Sequence, residues 1–449
     1  MQDHLFSEFE KVSSKAWKQK IQADLKGLDY QTLITKTLEN IDIKPFYHYD
    51  DYTGFEQWAP ASFSIGQSLQ IYNESVANKI ARKALIKGGE IFIFKFDKPF
   101  EINRLIDGLK PSRLVFKADM LNVDFLKKLY QQTEGKSPIL IDPIGHFARY
   151  GNWYENERQD FDKLNQLKQY FDKDFRFLDV NAHHYKNAGA NITQELAYSL
   201  SHAVEYIEKL GADVIEQIQF SMATGAHYFF EIAKIKALHQ LWLLITGAYN
   251  RSSAAFVYSE PAMRNKTVFD PYVNMLRTGM EMMSAILGGS QIVANLPFDA
   301  VYKKSNEFSE RIARNQLIIL KKEAGFASAL NATEGNYFVE ENTYKIAQKS
   351  LDIFKDIEAS GGFLSQLYKG KIQQKIEESA QKEQAAFDSQ KLVLVGTNKY
   401  ENTSEDNIKI DIYPFLKKRS GQTLIQPVIP KRLAETIEKD RLQKLGISF

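Results

Sequence analysis

The feature that most constrains this 449-residue chain is an alternation of short β-branched or aromatic runs with longer stretches of helical period. The runs lie at 90–97 (EIFIFKFD), 112–118 (SRLVFKA), 138–142 (PILID), 175–180 (FRFLDV), 216–222 (EQIQFSM), 254–258 (AAFVY) and 290–295 (SQIVAN), with a weaker one at 325–330 (GFASAL). Between them, segments such as 191–210, 226–247, 271–287 and 302–322 repeat apolar residues at helical spacing. Eight strand candidates alternating with helices over roughly 250 residues predict an α/β fold of the (β/α)8 TIM-barrel type, because an open doubly wound sheet usually has fewer strands.

The flanks read differently. Residues 1–40 are expected to form an amphipathic helical arm, with Phe6, Phe9, Trp17, Ile21 and Leu25 mostly on one face before a break at Gly27, and that face needs an apolar partner. Residues 41–89 contain an aromatic, Gly-, Pro- and Ser-rich stretch without sustained period and are expected to be an irregular connector. The barrel is then expected over 90–365. A C-terminal region follows over 366–449: a charged amphipathic helix at 367–389, one more buried strand at 391–400 (KLVLVGTNKY) and a charged tail, helical from Lys431.

Charge and composition exclude several classes of function. Lys and Arg number 58 against 56 Asp and Glu, a formal charge of +2. No large block of one sign supplies the clustered positive field that nucleic acid or an anionic membrane requires. No window of about 20 apolar residues occurs and the N-terminus lacks a secretory pattern, so neither a membrane partner nor export is expected and the predicted location is cytoplasmic. The absence of cysteine removes disulfides, thiolate nucleophiles, iron–sulfur clusters and cysteine zinc sites together. A metal would have to be held by the eight histidines or by carboxylates, and no metal site is expected.

In a barrel of this kind the functional groups sit at the carboxyl ends of the strands. Those ends carry Asp97, Asp119, Asp142, His183, His184, Ser221 and Asn295. Small or polar residues in the runs (Ser221, Ala223, Ser290, Ala294) suit a hollow axis that admits a long ligand, and suit equally positions that face the outer helices. The signatures GxGxxG, GxxxxGK[ST], GxSxG and HExxH are absent. The densest concentration of unusual residues is DVNAHHYKNAGAN at 179–191. There His184 could polarise a carbonyl or transfer a proton, or one histidine of the pair could simply cap the loop.

Several longer segments have recognisable wording: FSMATGAHYFFEIAKIKALHQLWLLI at 220–245, FDPYVNMLRTGMEMMSAILGG at 269–289 with LPFD at 296–299, SERIARNQLIILKKEAGF at 309–326, NAGANITQELAYSLSHAVEYI at 187–207 and GTNKYEN at 396–402. Together with the AWKQKIQADLKGLDYQTL arm, they closely resemble the barrel domain of methylmalonyl-CoA mutase over nearly the whole chain. The resemblance implies a heterodimer in which a large subunit interconverts methylmalonyl-CoA and succinyl-CoA with adenosylcobalamin, and IDPIGHFARYGNW at 141–153 resembles its small subunit. The family's cobalt-ligating D-x-H-x-x-G motif is absent, and only about 50 residues follow GTNKY, too few for a further α/β domain, so the cofactor is expected on the partner. The Met-Tyr pair and Trp-Thr-x-Arg-Gln-Tyr motif of catalytic relatives are also missing before the first run. Within the motif S-x-S-G-Y-H-M-Q-E-A-G-A, this chain reads DVNAHHYKNAGA, so His184 falls on the catalytic histidine while Lys186 replaces the glutamine. The Gly-Gly-His-Thr-Gln loop is reduced to GGSQ at 288–291, and an Asp-Pro-x-Gly-Gly-Ser turn has become NATEGN at 331–336. The expectation is a noncatalytic small subunit that pairs with and stabilises the large one, with His184 as a remnant and Lys186 a weak second candidate. The alternative is a self-standing barrel enzyme using His184, Lys186, Asp142 and Asp179 on an acyl-CoA or other ligand without cobalamin.

Overall fold

The computed structural model describes residues 8–51, 62–402, 408–416 and 421–447. Its centre is a closed barrel of eight parallel strands. Before it stand helix α1 (Ser14–Asp24), a 3-10 turn at Tyr30–Leu33 and the two-residue antiparallel strands β1 (Thr35–Lys36) and β2 (Asp42–Ile43). The barrel then runs β3 (Ser64–Gln70), α2 (Glu74–Ile86), β4 (Ile91–Phe96), α3 (Ile102–Ile106), β5 (Leu114–Ala118), α4 (Val123–Gln132), β6 (Ile139–Ile141), α5 (Pro143–Tyr150), α6 (Glu157–Tyr170), β7 (Leu178–Asn181), α7 (His183–Ala188) and α8 (Ile192–Leu210). It continues through β8 (Ile218–Thr224), α9 (Tyr228–Ala248), β9 (Val257–Pro261), α10 (Pro271–Gly288), β10 (Ile292–Ala294) and α11 (Glu307–Lys322). Helices α12 (Tyr337–Ala359), α13 (Gly362–Tyr368), α14 (Lys371–Asp388) and α15 (Glu435–Lys444) complete the order. Strand β10 closes on β3 with Ile292 opposite Ser64 and Ala294 opposite Gly66.

The alternation of side chains along each strand separates two cores. Phe92, Phe94 and Phe96 of β4, Phe116 of β5, Val180 of β7, Phe220 and Met222 of β8 and Val293 of β10 point outward into one large cluster with the helices. The intervening residues Ile93, Val115, Leu140, Tyr258, Ile292 and Ala294 pack on one another as a separate cluster on the barrel axis. A hollow axis at this level is therefore replaced by a packed plug. Gly66 belongs to the plug by its absence of a side chain, because a Cβ there would lie 3.0 Å from Ile93 Cδ1 and 3.1 Å from Ile292 Cγ2.

Three readings of elements are corrected. The first barrel strand is Ser64–Gln70, within the stretch expected to be irregular connector, and α2 follows it directly. Its sequence SIGQSLQ lacks the aromatic and β-branched signal of a strand because Gly66 leaves room for the plug. The weak candidate at 325–330 is a turn; Gly325 takes φ +73°, a left-handed conformation that breaks a strand. KLVLVGTNKY also forms no strand, only an isolated bridge from Val395 to Lys399. There the Asn398 side chain accepts from the Leu394 amide at 2.8 Å and donates to the Phe387 and Leu392 carbonyls, both at 2.8 Å, which stabilises a turn instead.

The N-terminal helix is shorter than the expected arm. Ser13 caps α1, accepting from the Ala16 amide at 3.2 Å, and α1 ends at Asp24. Phe6 lies outside the described residues. Phe9 is 66% and Trp17 44% exposed, and Ile21 and Leu25 are half-buried. Trp17 stacks on Phe46 at 4.5 Å, and among the described residues the apolar face of α1 is only partly covered.

Candidate site at the carboxyl end of the barrel

Above the plug the axis turns from apolar to charged. Lys95 of β4 and Lys117 of β5 are register partners at the same level. Lys117 Nζ lies 2.9 Å from Asp179 Oδ2 and donates to Ser221 Oγ at 2.9 Å, and Ser221 donates to Asp179 Oδ1 at 2.6 Å. Lys95 Nζ lies 2.9 Å from Glu260 Oε2. Burial raises the Asp179 carboxyl against the pull of Lys117, whereas at Glu260 burial is outweighed by the charges of Lys95 and Lys117, which hold it below the usual range. The Lys117 ammonium stands 5.2 Å from the centre of the Tyr258 ring, so this ionic layer sits on the plug.

Over that layer opens a cavity of about 820 Å³. Its floor and walls come from strand ends and the short helices after them, and its roof from the C-terminal region through Tyr413–Leu416 and Pro430–Arg432. The roof is tied down by two arginines that bind both backbone carbonyls and carboxylates. Arg432 donates to the Lys266 and Pro414 carbonyls at 3.0 and 2.9 Å and pairs with Glu438 at 2.7 Å, and Arg264 donates to the Lys431 carbonyl at 2.9 Å.

Helix α5 builds one wall. Asp142 caps it, accepting from the Gly145 amide at 2.7 Å, and Pro143 fills its first turn. Ile144, Phe147 and Ala148 are fully buried in the core, while Asp142, His146, Arg149 and Tyr150 line the cavity. The polar stripe of this helix thus faces inward. His146 Nδ1 lies 2.8 Å from Asp119 Oδ1, and the Tyr150 and Tyr154 hydroxyls donate to the same carboxylate at 2.9 and 3.1 Å. Although burial opposes its charge, His146, the Tyr150 hydroxyl and the charge of Arg149 hold Asp119 well below the usual carboxylate range. The His146 ring stacks on Tyr154 at 3.8 Å.

The strand-end residues divide. Asp97, Asp119, Asp142, His183 and His184 all line the cavity. Asp142 is also bound from behind by the Tyr206 hydroxyl at 2.7 Å and the Asn181 amide at 3.1 Å, and His202 Nε2 lies 3.0 Å away; despite burial, His202 keeps it ionised. His184 follows β7 on α7, and burial pushes its pKa to about 3, as it does for His183. Both rings are therefore neutral at neutral pH. Lys186 turns away from the cavity into the helix layer, 3.6 Å from Glu231; burial opposes its charge, but Glu231 and Glu195 raise its pKa. Ser221 lies in the ionic layer, and Asn295 is bound to α11 through the Ala313 carbonyl and Gln316 at 3.2 and 2.8 Å.

The arrangement can hold and orient a polar ligand between neutral imidazoles, tyrosines and cations. Among the described residues no group of three His, Cys, Asp or Glu could hold a metal ion, and no helix is long and apolar enough to cross a membrane. Lys95, Lys117, Glu260, His146 and Arg149 were not singled out by the sequence reading. A usable signal existed for the first three: a charge at the inward phase of an apolar strand run has no low-energy place except a polar axis.

The family model described as methylmalonyl-CoA mutase matches residues 120–440. The methylmalonyl-CoA mutase small subunit of Porphyromonas gingivalis is 31% identical, over 90% of this chain and 72% of its own length. The methylmalonyl-CoA mutase of Cereibacter sphaeroides is 27% identical over 88% of this chain, and the match spans 65% of that protein. The methylmalonyl-CoA mutase large subunit of Porphyromonas gingivalis is 33% identical over 53% of this chain, and the match spans 34% of that subunit.

Proposed function

The chain belongs to the methylmalonyl-CoA mutase family, and from that premise we propose that it is a noncatalytic small subunit. In this reading it pairs with and stabilises a large subunit that carries adenosylcobalamin and interconverts methylmalonyl-CoA and succinyl-CoA. The observation that carries the reading is the plug. Ile93, Val115, Leu140, Tyr258, Ile292 and Ala294 fill the axis, and the Lys117–Asp179–Ser221 network bridges it above them, so a long acyl-CoA has no path along the barrel. Radical chemistry also needs a dry site with its groups held in place, and the catalytic loops of relatives are altered here at DVNAHHYKNAGA, GGSQ and NATEGN.

The residues present do not fit the cofactor. None of the eight histidines has an aspartate two positions before it. His146 is engaged by Asp119, and His183 and His184 lie recessed beneath the roofed cavity. No step is therefore assigned to cobalamin in this chain. The similarity to both a small and a large subunit from one organism supports pairing between unlike barrels.

The test is turnover by the purified chain supplied with adenosylcobalamin and methylmalonyl-CoA. The expected result is no succinyl-CoA and no spectral sign of histidine-ligated cobalamin; either one, from this chain alone, contradicts the reading.

A further inference from the structure

A second cavity lies on the outer face of the barrel, away from the mouth, where a helix would ordinarily pack on a strand. Helix α2 meets the barrel through Ala77, Ala81 and Ala84, all buried, and such short side chains leave space between α2, α11 and β3. About 190 Å³ stays open there, bordered by Ile80 and Ala84 on the α2 side and by Gln67, Glu310 and Arg314 on the β3 and α11 side. All three polar residues are buried. Gln67 donates to Glu310 Oε2 at 3.0 Å and accepts from Arg314 Nη1 at 2.9 Å, and Ser305 donates to Glu310 Oε1 at 2.9 Å. Arg314 Nε, although buried, meets no acceptor among the described residues. A buried donor left in that state is costly, so it marks a place that something else fills.

The charges around this cavity do not cancel. Lys83, Lys87, Arg311 and Arg314 border it against the carboxylates Glu307 and Glu310. Glu307 is paired with Lys83, and Lys87 stands 4.0 Å from the same oxygen. Arg311 lies 5.6 Å from the centre of the Phe308 ring and has no ion-pair partner among the described residues. Burial, with the Asp299 carboxylate adding to it, pushes Glu310 up to about 7 against the hydrogen bonds of Ser305 and Gln67 and the charge of Arg314. Near neutrality Glu310 therefore carries only part of its charge, and the balance stays positive even with Asp299 counted.

We propose that this outer cavity binds a short aliphatic carboxylate, its oxygens on the Nε edge of the Arg314 guanidinium and its chain against Ile80 and Ala84. Gln67 holds the guanidinium through Nη1, which fixes the plane that a carboxylate meets in parallel hydrogen bonds. Lys87 adds positive charge at the opening. The apolar α2 wall favours a hydrocarbon tail over a bare oxyanion, and the volume limits that tail to a few carbons. An anion placed beside Glu310 disfavours its ionised form, so binding is accompanied by proton uptake there and tightens as pH falls through 7. The site does not depend on whether the chain has a partner.

The test is a ligand-observed NMR titration of the full chain with butyrate at low ionic strength. Saturable binding is expected, with a dissociation constant of about 1 mM, and tighter at pH 6 than at pH 8. Butyramide, which keeps the chain without the charge, and inorganic phosphate, which has charge without a chain, should each bind about tenfold more weakly or worse. Ala84→Leu, which fills the cavity from its apolar wall, should abolish saturation without lowering the melting temperature. Lys87→Gln, at an exposed side chain, should weaken binding by about a factor of three, and it decides alone should Ala84→Leu fail to fold. Glu310→Gln should remove the difference between the two pH values. The proposal is overturned if butyrate does not saturate, if butyramide or phosphate binds as tightly, if binding weakens on acidification, or if neither Ala84→Leu nor Lys87→Gln lowers the affinity.

Discussion

At the scale of single residues, the barrel axis is held by a few groups whose loss is costly. Lys117 is the ion partner of the buried Asp179, so Lys117→Met leaves a carboxylate without a counter-charge in a site that water hardly reaches. A loss of about 3 kcal/mol or more is expected from urea denaturation, reduced at low pH where Asp179 takes up a proton. Gly66→Val places methyl groups against Ile93 and Ile292, which already stand 3.0 and 3.1 Å from a hypothetical Cβ, and should cost about 1–3 kcal/mol in the same measurement. The buried histidines predict a pH dependence. His239 is pushed by burial from its ordinary 6.5 to about 3, so between those values the unfolded chain binds a proton that the folded chain does not. Stability therefore rises with pH across that window and falls on acidification, by about 1.4 kcal/mol per pH unit for each such group. His239→Gln should flatten the dependence of the unfolding midpoint on pH below 6.5; an unchanged slope would show that His239 is protonated in the fold.

At the scale of elements, the sequence was most legible where chemistry and position agreed. EIFIFKFD and SRLVFKA carry large outward residues on alternate positions, and their strands form where the pattern places them. SIGQSLQ was unreadable because its outward Gln67 is satisfied by distant partners, donating to Glu310 at 3.0 Å and accepting from Arg314 at 2.9 Å, and its inward Gly66 is defined by the plug it admits. Neither cause is local. The site was legible in the same measure: His183, His184 and three aspartates follow from the rule about strand ends, whereas the wall of α5 and the roof from residues 413–416 and 430–432 depend on which loops meet. The arm carries the prediction at this scale. No residue of α1 is buried, and an isolated helix of its 11 residues is marginal in water. Deleting residues 1–30 should weaken association with the large subunit while leaving the barrel's thermal transition in place. Unfolding of the truncated chain, or undiminished association, would assign the arm to the barrel's own packing.

At the scale of the whole molecule, the fold is that of a mutase barrel in which the route along the axis is filled and the mouth is roofed. Under the proposed reading the barrel persists for what its outer surface does, since a fold and the chemistry it hosts are separable. His184 tests this within the assembly: His184→Ala should lower the melting temperature more than the mutase rate, and a rate loss of a hundredfold, about 2.7 kcal/mol of transition-state stabilisation, at unchanged stability would make it a catalytic group. The most direct measurement of the central claim is to isolate the full chain from its native source under mild conditions and determine what comes with it by intact-complex mass measurement. The account predicts one copy of a larger chain bearing the D-x-H-x-x-G motif and cobalamin, with mutase turnover in that fraction. Isolation of this chain by itself, or as a homo-oligomer that turns over methylmalonyl-CoA, would contradict it.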